Sequence, residues 1–194
     1  MIRKKIIALS GKMGCGKSTI ARHVYNKLDD AMIIPLAGVA KQCVEIITGV
    51  AMDEKQPDGS YDYSQKQKGM LLRSGMPLGV FIREFAEASR GFDKTIWIDA
   101  TFNTIESSNR KHYIIPDMRM LTEYDFLLGL TNSDEYEVYM FRIESALSKD
   151  KDGRSMSHVT ESELDAKQFD AVYINEAPLH NAELIAKKIV NYIR

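Results

Sequence analysis

An eight-residue run, GKMGCGKS at 11–18, constrains the fold of this chain more than any other feature of the sequence. It has the spacing Gly-x-x-x-x-Gly-Lys-Ser/Thr. An apolar segment, KIIALS at 5–10, precedes it, and from Thr19 onward apolar residues recur at helical spacing. A short apolar run without alternation is typical of a parallel strand that is buried on both faces. The order strand, glycine-rich turn and helix therefore predicts an α/β fold.

The same run predicts a site for the phosphates of a nucleotide. Its glycines allow the backbone to turn several N–H groups inward, at the positive end of the following helix. Lys17 supplies a positive charge to the β- and γ-phosphates, and Ser18 offers a hydroxyl group to Mg²⁺. The residues that we assign to ATP binding on this ground are Gly11, Lys12, Met13, Gly14, Cys15, Gly16, Lys17, Ser18 and Thr19.

Alternating strands and helices are predicted along the rest of the chain. Residues 65–90 resemble two helices that are interrupted at Gly75, Met76 and Pro77, while 95–102 fits either a strand or a helix. The other predicted strands are 32–36, 112–116, 137–141 and 171–175, and the other predicted helices are 39–47, 122–128, 161–167 and a closing one that contains Ile185, Ile189 and Ile193. Such repeated units predict a parallel sheet of about five strands with helices on both faces.

The length, charge and cysteine content of the chain limit the classes of protein to which it could belong. A chain of 194 residues fits one domain, 1–194, and its formal net charge of -1 without a basic stripe argues against binding to long nucleic acid. No apolar stretch reaches the ~20 residues of a membrane helix. The two cysteines, Cys15 and Cys43, form neither a disulfide framework nor a zinc motif. We expect a cytoplasmic protein with small anionic partners.

The run YIIPDMR at 113–119 supplies a candidate acidic ligand, because its apolar strand ends in an aspartate. In a fold of this kind Asp117 is the candidate that completes the Mg²⁺ shell, although a helix cap or turn is the alternative. Arg119 is expected at the same edge of the sheet, where α/β proteins bind ligands. A salt bridge from Arg119 to Glu123 is compatible with that role.

Four further arginines are candidates for contacts with phosphate groups, because the guanidinium fork suits phosphate oxygens. Arg142 is predicted to follow a strand directly, and Arg154 lies in a polar run that could fold over the nucleotide. Arg73 and Arg83 belong to the predicted helices between the second and third strands, where an acceptor could bind. Each of the four could instead be an ordinary surface residue.

Four segments in order give the chain a resemblance to a known family. They are LSGKMGCGKST at 9–19, PLAGVAKQ at 35–42, IIPDMRMLTE at 114–123 and the long run from FRIES to NEAPL at 141–179. This set resembles the phage deoxynucleoside monophosphate kinases, a divergent branch of the P-loop nucleoside monophosphate kinases. The resemblance implies a P-loop kinase fold with a helical acceptor-binding region at about 38–100 and a lid at about 143–158.

The resemblance also implies roles for individual residues. Asp117 would serve the metal and the transfer step, Arg142 and Arg154 would belong to the lid, and Asn175 would lie near the adenine. The residues implied for binding the acceptor monophosphate are Lys41, Arg73, Arg83 and Arg119. Arg73 stands where the family has an uncharged polar residue.

The implied reaction transfers a phosphoryl group from ATP, with Mg²⁺, to a (deoxy)nucleoside monophosphate and gives ADP and a diphosphate. Animal-type phosphomevalonate kinases share the Asp-x-Arg run and the late pattern that ends in Asn175, so they are the nearest alternative. A nucleotide-binding regulatory module without catalysis is a third reading. We expect a monomer or a homodimer, in the host cytoplasm if a phage encodes the protein.

Overall fold

The computed structural model describes residues 3–50, 69–145, 163–176 and 178–194, with the backbone alone at 178–180. Five strands form one parallel sheet with the order β2-β3-β1-β4-β5. The strands are β1 (Lys4–Ser10), β2 (Ala31–Ile33), β3 (His112–Met118), β4 (Tyr136–Glu144) and β5 (Ala171–Ile174). The helices are α1 (Lys17–Tyr25), α2 (Gly38–Thr48), α3 (Leu78–Phe92), α4 (Ile96–Ser107), α5 (Leu121–Leu130) and α6 (Pro178–Tyr192).

The chain forms two compact units. Met1–Ile33 together with Asn109–Arg194 make the first unit, and Ile34–Ser108 make the second. All five strands belong to the first unit, with α1, α5 and α6. The second unit contains α2, α3 and α4.

The sheet is buried on both faces, as the run at 5–10 predicts. Ile6 and Ile7 are both fully buried, and successive side chains of a strand point to opposite faces. On one face α1 packs against α6, where Ile20 and Ile185 join one apolar cluster with Ile7. Helix α5 packs on β4, and its Tyr124 is buried. Each such side chain contributes about 1.5–3 kcal/mol to the stability of the sheet.

The second unit has a small core of its own. Val44 of α2 packs with Leu78 and Ile82 of α3, and Phe85 joins the same cluster. The indole of Trp97 on α4 donates a hydrogen bond of 3.0 Å to the carbonyl of Ala86 on α3. The apolar positions on three helices therefore hold the described part of this unit together.

The first of the two helices predicted within 65–90 is wrong for the described residues 69–77. These residues form a tight hairpin, in which Leu72 and Leu78 donate backbone hydrogen bonds of 2.9 and 2.7 Å to the carbonyls of Met76 and Met70. Gly75 has a φ of 80°, which is outside the helical region, and Pro77 has an extended backbone. The second helix begins directly after Pro77, as predicted.

Three other predictions differ from the structure or become definite. Strand β2 ends at Ile33 rather than at 36, because Pro35 lacks the N–H that a longer parallel ladder needs. The ambiguous segment 95–102 is helical and belongs to α4. Residues 163–166 form turns rather than the predicted helix at 161–167, of which 161 and 162 lie outside the described residues. Most of the predicted lid at 143–158 also lies outside them.

In the described part of the chain, no helix has both the length and the apolar character needed to span a bilayer.

Candidate functional site

The carboxyl ends of three neighbouring strands meet at the glycine-rich run. Ser10, the last residue of β1, is in register with Met118 of β3 on one side and with Arg142 of β4 on the other. The chain then enters the loop at 11–16, and α1 begins at Lys17. From β1 the chain continues to β2, which lies beyond β3 on one side of β1, whereas β4 lies on the other side. The strand order therefore reverses at β1, and α/β sheets form their ligand crevice at such a point.

The backbone of the loop has the conformation that the glycine spacing predicts. Gly11, Gly14 and Gly16 have φ values of 142°, 81° and 93°, which side chains of the L configuration rarely allow. At Gly11 a Cβ atom would lie only 2.1 Å from the carbonyl oxygen of Ile143 in β4. The loop is therefore packed directly against the sheet, and α1 begins at its end.

The side chain of Lys17 turns back over the loop. Its Nζ donates hydrogen bonds of 2.5 Å to the carbonyl of Gly11 and 2.8 Å to that of Lys12, and it lies 3.4 Å from the Sγ of Cys15. Only 6% of Lys17 is exposed. The ammonium group is thus enclosed by the loop, beside the N-terminus of α1, and both features favour a bound anion.

Two side chains whose oxygen atoms could bind a metal ion belong to the elements that flank the loop. Ser18 is the exposed second residue of α1, and Asp117 is the partly buried penultimate residue of β3, the strand beside β1. The capping alternative for Asp117 is wrong, because the N-cap of α5 is Met120. A hydroxyl and a carboxylate fit Mg²⁺, which prefers hard oxygen ligands and commonly binds through one or two protein groups plus phosphates. No group of three or more His, Cys, Asp or Glu side chains that could hold a metal occurs among the described residues.

Arg142 is held at the edge of the loop by three contacts. It lies inside β4, two residues before the end of the strand. The prediction that it follows the strand and the lid position that the family resemblance implies for it are therefore both wrong. Its Nη1 donates a 3.1 Å hydrogen bond to the hydroxyl of Ser10, its Nη2 donates to a carboxylate oxygen of Asp165, and the guanidinium lies 6.0 Å from the ring centre of Phe169. Lys12 of the loop is 3.5 Å from the other oxygen of Asp165. Asp165 therefore joins two cations at the candidate phosphate site.

The segment that carries Asp165 is fixed to α5 and β4. The carboxylate of Glu163 accepts a 2.7 Å hydrogen bond from the N–H of Leu121, the first residue of α5. The hydroxyl of Tyr124 donates to the carbonyl of Gln168 at 2.6 Å, and Asp170 accepts from the N–H of Met140 at 2.6 Å. Glu163 and Asp165 were not predicted as partners of the site from the sequence. Their only local signal is an acidic cluster, which a solvated helix would show equally well.

Arg119 follows β3 directly, at the same edge of the sheet. The carboxylate of Glu123 accepts hydrogen bonds from the backbone N–H groups of Arg119 at 2.7 Å and Met120 at 2.9 Å. Glu123 is only 5% exposed, and it satisfies backbone groups at the start of α5. The turn that carries Arg119 is therefore fixed by a buried carboxylate.

Asn175 reaches the loop from the end of β5. Its backbone N–H donates to the carbonyl of Glu144 at 2.7 Å, and its Nδ2 donates to the carbonyl of Cys15 at 2.9 Å. The residue is fully buried. The sequence singled out Asn175, but no sequence pattern could indicate this contact, which joins residues 160 positions apart.

The remaining candidates lie in the second unit or outside the described residues. Lys41 is a partly buried residue of α2, and Arg73 is exposed in the hairpin that precedes α3. Arg83 is half exposed on α3 and donates to the carboxylate of its neighbour Glu84 at 2.9 Å. Arg154 lies outside the described residues. The roles of these four residues stay predictions.

Comparisons with known proteins identify the fold. No protein-family model matches the sequence, and no curated protein matches it. The structure is similar to the tunicamycin resistance protein of Deinococcus radiodurans, with 14% identity, 98% of this chain and 96% of that chain covered, and a TM-score of 0.51. It is also similar to a shikimate kinase of Acinetobacter baumannii in complex with shikimate, with 13% identity, coverage of 98% and 93%, and a TM-score of 0.51. Together with the five-stranded parallel sheet, these matches show a P-loop kinase fold.

Proposed function

We propose that this protein transfers the γ-phosphoryl group of ATP to a small molecule, and that the acceptor is a (deoxy)nucleoside monophosphate. The observation that carries the first part is the enclosure of the Lys17 ammonium by a loop with three left-handed glycines, at the start of α1. A triphosphate needs this combination of inward N–H groups, helix dipole and mobile positive charge. The products are ADP and a nucleoside diphosphate.

Each group at the loop has a part in the proposed transfer. The loop amides and Lys17 bind the β- and γ-phosphates, and Arg142 adds positive charge at the same edge. Ser18 and Asp117 would hold Mg²⁺, which when bound neutralises charge on the phosphate oxygens. An acceptor phosphate is already anionic and attacks in line, so the residues need to position it and no general base is required. Arg154 would join the charge around the leaving group from the lid.

The choice of acceptor rests on the sequence resemblance rather than on the fold. Arg119 directly follows β3, the strand that contains Asp117, so both residues lie at the same end of the sheet. This position supports a contact between Arg119 and the acceptor phosphate. The basic residues that we propose for the acceptor in the second unit are Lys41, Arg73 and Arg83. Because Arg83 is paired with Glu84, an acceptor phosphate would have to compete with a carboxylate for it.

One panel of assays separates this proposal from its two alternatives. Purified protein is incubated with Mg·ATP and, in turn, each nucleoside and deoxynucleoside monophosphate, phosphomevalonate, or no acceptor, while ADP is measured. ADP that forms only with a monophosphate supports the proposal. ADP that forms only with phosphomevalonate would make phosphomevalonate the acceptor in place of a nucleoside monophosphate. ATP binding without ADP formation in any arm favours a regulatory module. Lys17→Ala is the control that should remove transfer in every arm.

A further inference from the structure

The side chain of Asn175 has an unusual hydrogen-bonding state. It is fully buried and its Nδ2 donates to the carbonyl of Cys15 at 2.9 Å, yet its Oδ1 has no hydrogen-bond partner among the described residues. A buried acceptor that is left unpaired costs about 1–3 kcal/mol. An apolar side chain at this position would avoid that cost. What the asparagine provides in return is the single hydrogen bond to the loop.

That hydrogen bond fixes the orientation of one peptide group. In a trans peptide the C=O of one residue and the N–H of the next point in opposite directions, and no cis peptide occurs among the described residues. Because the Cys15 carbonyl is turned toward Asn175, the N–H of Gly16 is turned away from it. Gly16 directly precedes Lys17, the first residue of α1, so this N–H belongs to the group of donors at the helix start.

The peptide between Cys15 and Gly16 needs such a restraint. A glycine populates positive and negative φ with similar ease, and Gly16 is observed at 93°. Rotation of this peptide would replace the N–H by a carbonyl oxygen, which repels phosphate. Asn175 is a firm anchor against rotation, because β5 pairs with β4 and the Asn175 N–H donates to the Glu144 carbonyl at 2.7 Å.

We propose that Asn175 is a positioning residue for the polyphosphate tail, which holds the Cys15–Gly16 peptide with its N–H available to phosphate. The inference rests on the proposed function. It differs from a contact with the adenine base, because Asn175 then acts on any ligand with a triphosphate tail. The chemical class recognised through Asn175 is therefore polyphosphate, independent of the attached nucleoside.

Binding measurements on three variants test this inference. Asn175→Ala removes the donor, and Asn175→Leu removes it while keeping the approximate shape of the side chain and adding no charge. Ile174→Thr is the matched control, since Ile174 is the neighbouring residue of β5 and is 61% exposed. Affinities for Mg·ATP and for inorganic tripolyphosphate with Mg²⁺ are measured by calorimetry or competition. The melting temperature of each unliganded protein is recorded as well.

We expect each Asn175 variant to bind ATP and tripolyphosphate more weakly by the same factor, about ten- to a hundredfold. The reason is that the Gly16 N–H is no longer held toward the ligand, so its hydrogen bond to a charged phosphate is lost. The control should bind both as the wild type does. Unchanged affinities, with only a lower melting temperature, would overturn the inference, as would a loss confined to ATP, which indicates a contact with the base. If Asn175→Ala does not fold, Asn175→Leu decides. Wild-type protein that binds neither ligand would instead overturn the proposed function itself.

Discussion

Replacing Gly11 by alanine should damage the fold as well as the site. The new methyl carbon would lie 2.1 Å from the Ile143 carbonyl oxygen and 2.9 Å from the Cys15 sulfur, whereas ordinary contact begins at 3.4 Å. The neighbour at 2.1 Å is backbone of β4, which cannot rotate away as a side chain can. A positive φ costs an alanine about 1–2 kcal/mol, and forced overpacking adds about 1–3 kcal/mol. We expect a loss of about 2–5 kcal/mol of unfolding free energy.

Gly14→Ala is the matched comparison for Gly11→Ala. Gly14 also has a positive φ, 81°, but nothing lies within 4 Å of an added Cβ. It should therefore lose only the conformational part, about 1–2 kcal/mol. Urea denaturation followed by circular dichroism measures both variants, and ATP titration of the folded fraction reports the loop. Equal losses of unfolding free energy in the two variants would refute the reasoning from contact distances.

Three other substitutions test single contacts. Asp165→Asn removes the charge that pairs with Arg142 and should lower kcat by roughly ten- to a hundredfold, because the Arg142 guanidinium is no longer held in position for the phosphoryl transfer. An unchanged kcat would count against this role. Arg119→Ala should raise the KM of the acceptor by about ten- to a hundredfold and leave the KM of ATP nearly constant, and the opposite pattern would exclude an acceptor contact. The Lys27 side chain, 3.0 Å away, lowers the pKa of Glu183, so this pair stabilises the protein above the ordinary carboxyl pKa of 4.5 and stops doing so as the pH falls through the lowered pKa. Glu183→Gln should remove that part of the acid dependence in denaturation curves, and an unchanged pH slope would contradict it.

Two of these substitutions have controls of the same residue type in the chain. Asp125→Asn also removes an aspartate that is near a cation, Lys167 at 3.6 Å, but on the exposed surface of α5. Arg110→Ala removes an exposed arginine that pairs with Asp30 before β3 begins. Neither control should change kcat or either KM by more than a small factor, because surface pairs contribute little.

The features that the sequence predicted correctly are those with a local physical cause. The strand, loop and helix around 5–28 could be predicted because the apolar strand, the glycine spacing and the helical periodicity follow one another directly in the sequence. The helix α3 was likewise predictable from Pro77 at its start. The helix expected before Gly75 was wrong from residue 69 onward, where the described residues begin, because Gly75 and Pro77 have non-helical backbones and a hairpin satisfies the backbone groups instead.

The contacts that sequence reasoning missed join residues that are distant in the chain. Arg142 was singled out as a basic residue near the carboxyl end of a strand, but its partner Asp165 lies 23 residues later in a segment with a helical pattern. The contact between Asn175 and Cys15 spans 160 residues, and it exists only because β5 and the loop meet at one end of the sheet. Burial decides such partnerships, and a single sequence carries no direct record of burial.

The central claim is that the loop and Lys17 hold the polyphosphate of a nucleotide. Calorimetric titration of the wild type and of Lys17→Ala with Mg·ATP tests it most directly, because Lys17 donates to the carbonyls of Gly11 and Lys12 inside the loop. We predict saturable binding to the wild type and at least about a tenfold loss of affinity in the variant, as expected for one hydrogen-bonded charge. Equal affinities of the two proteins, or no binding to the wild type, would contradict the claim.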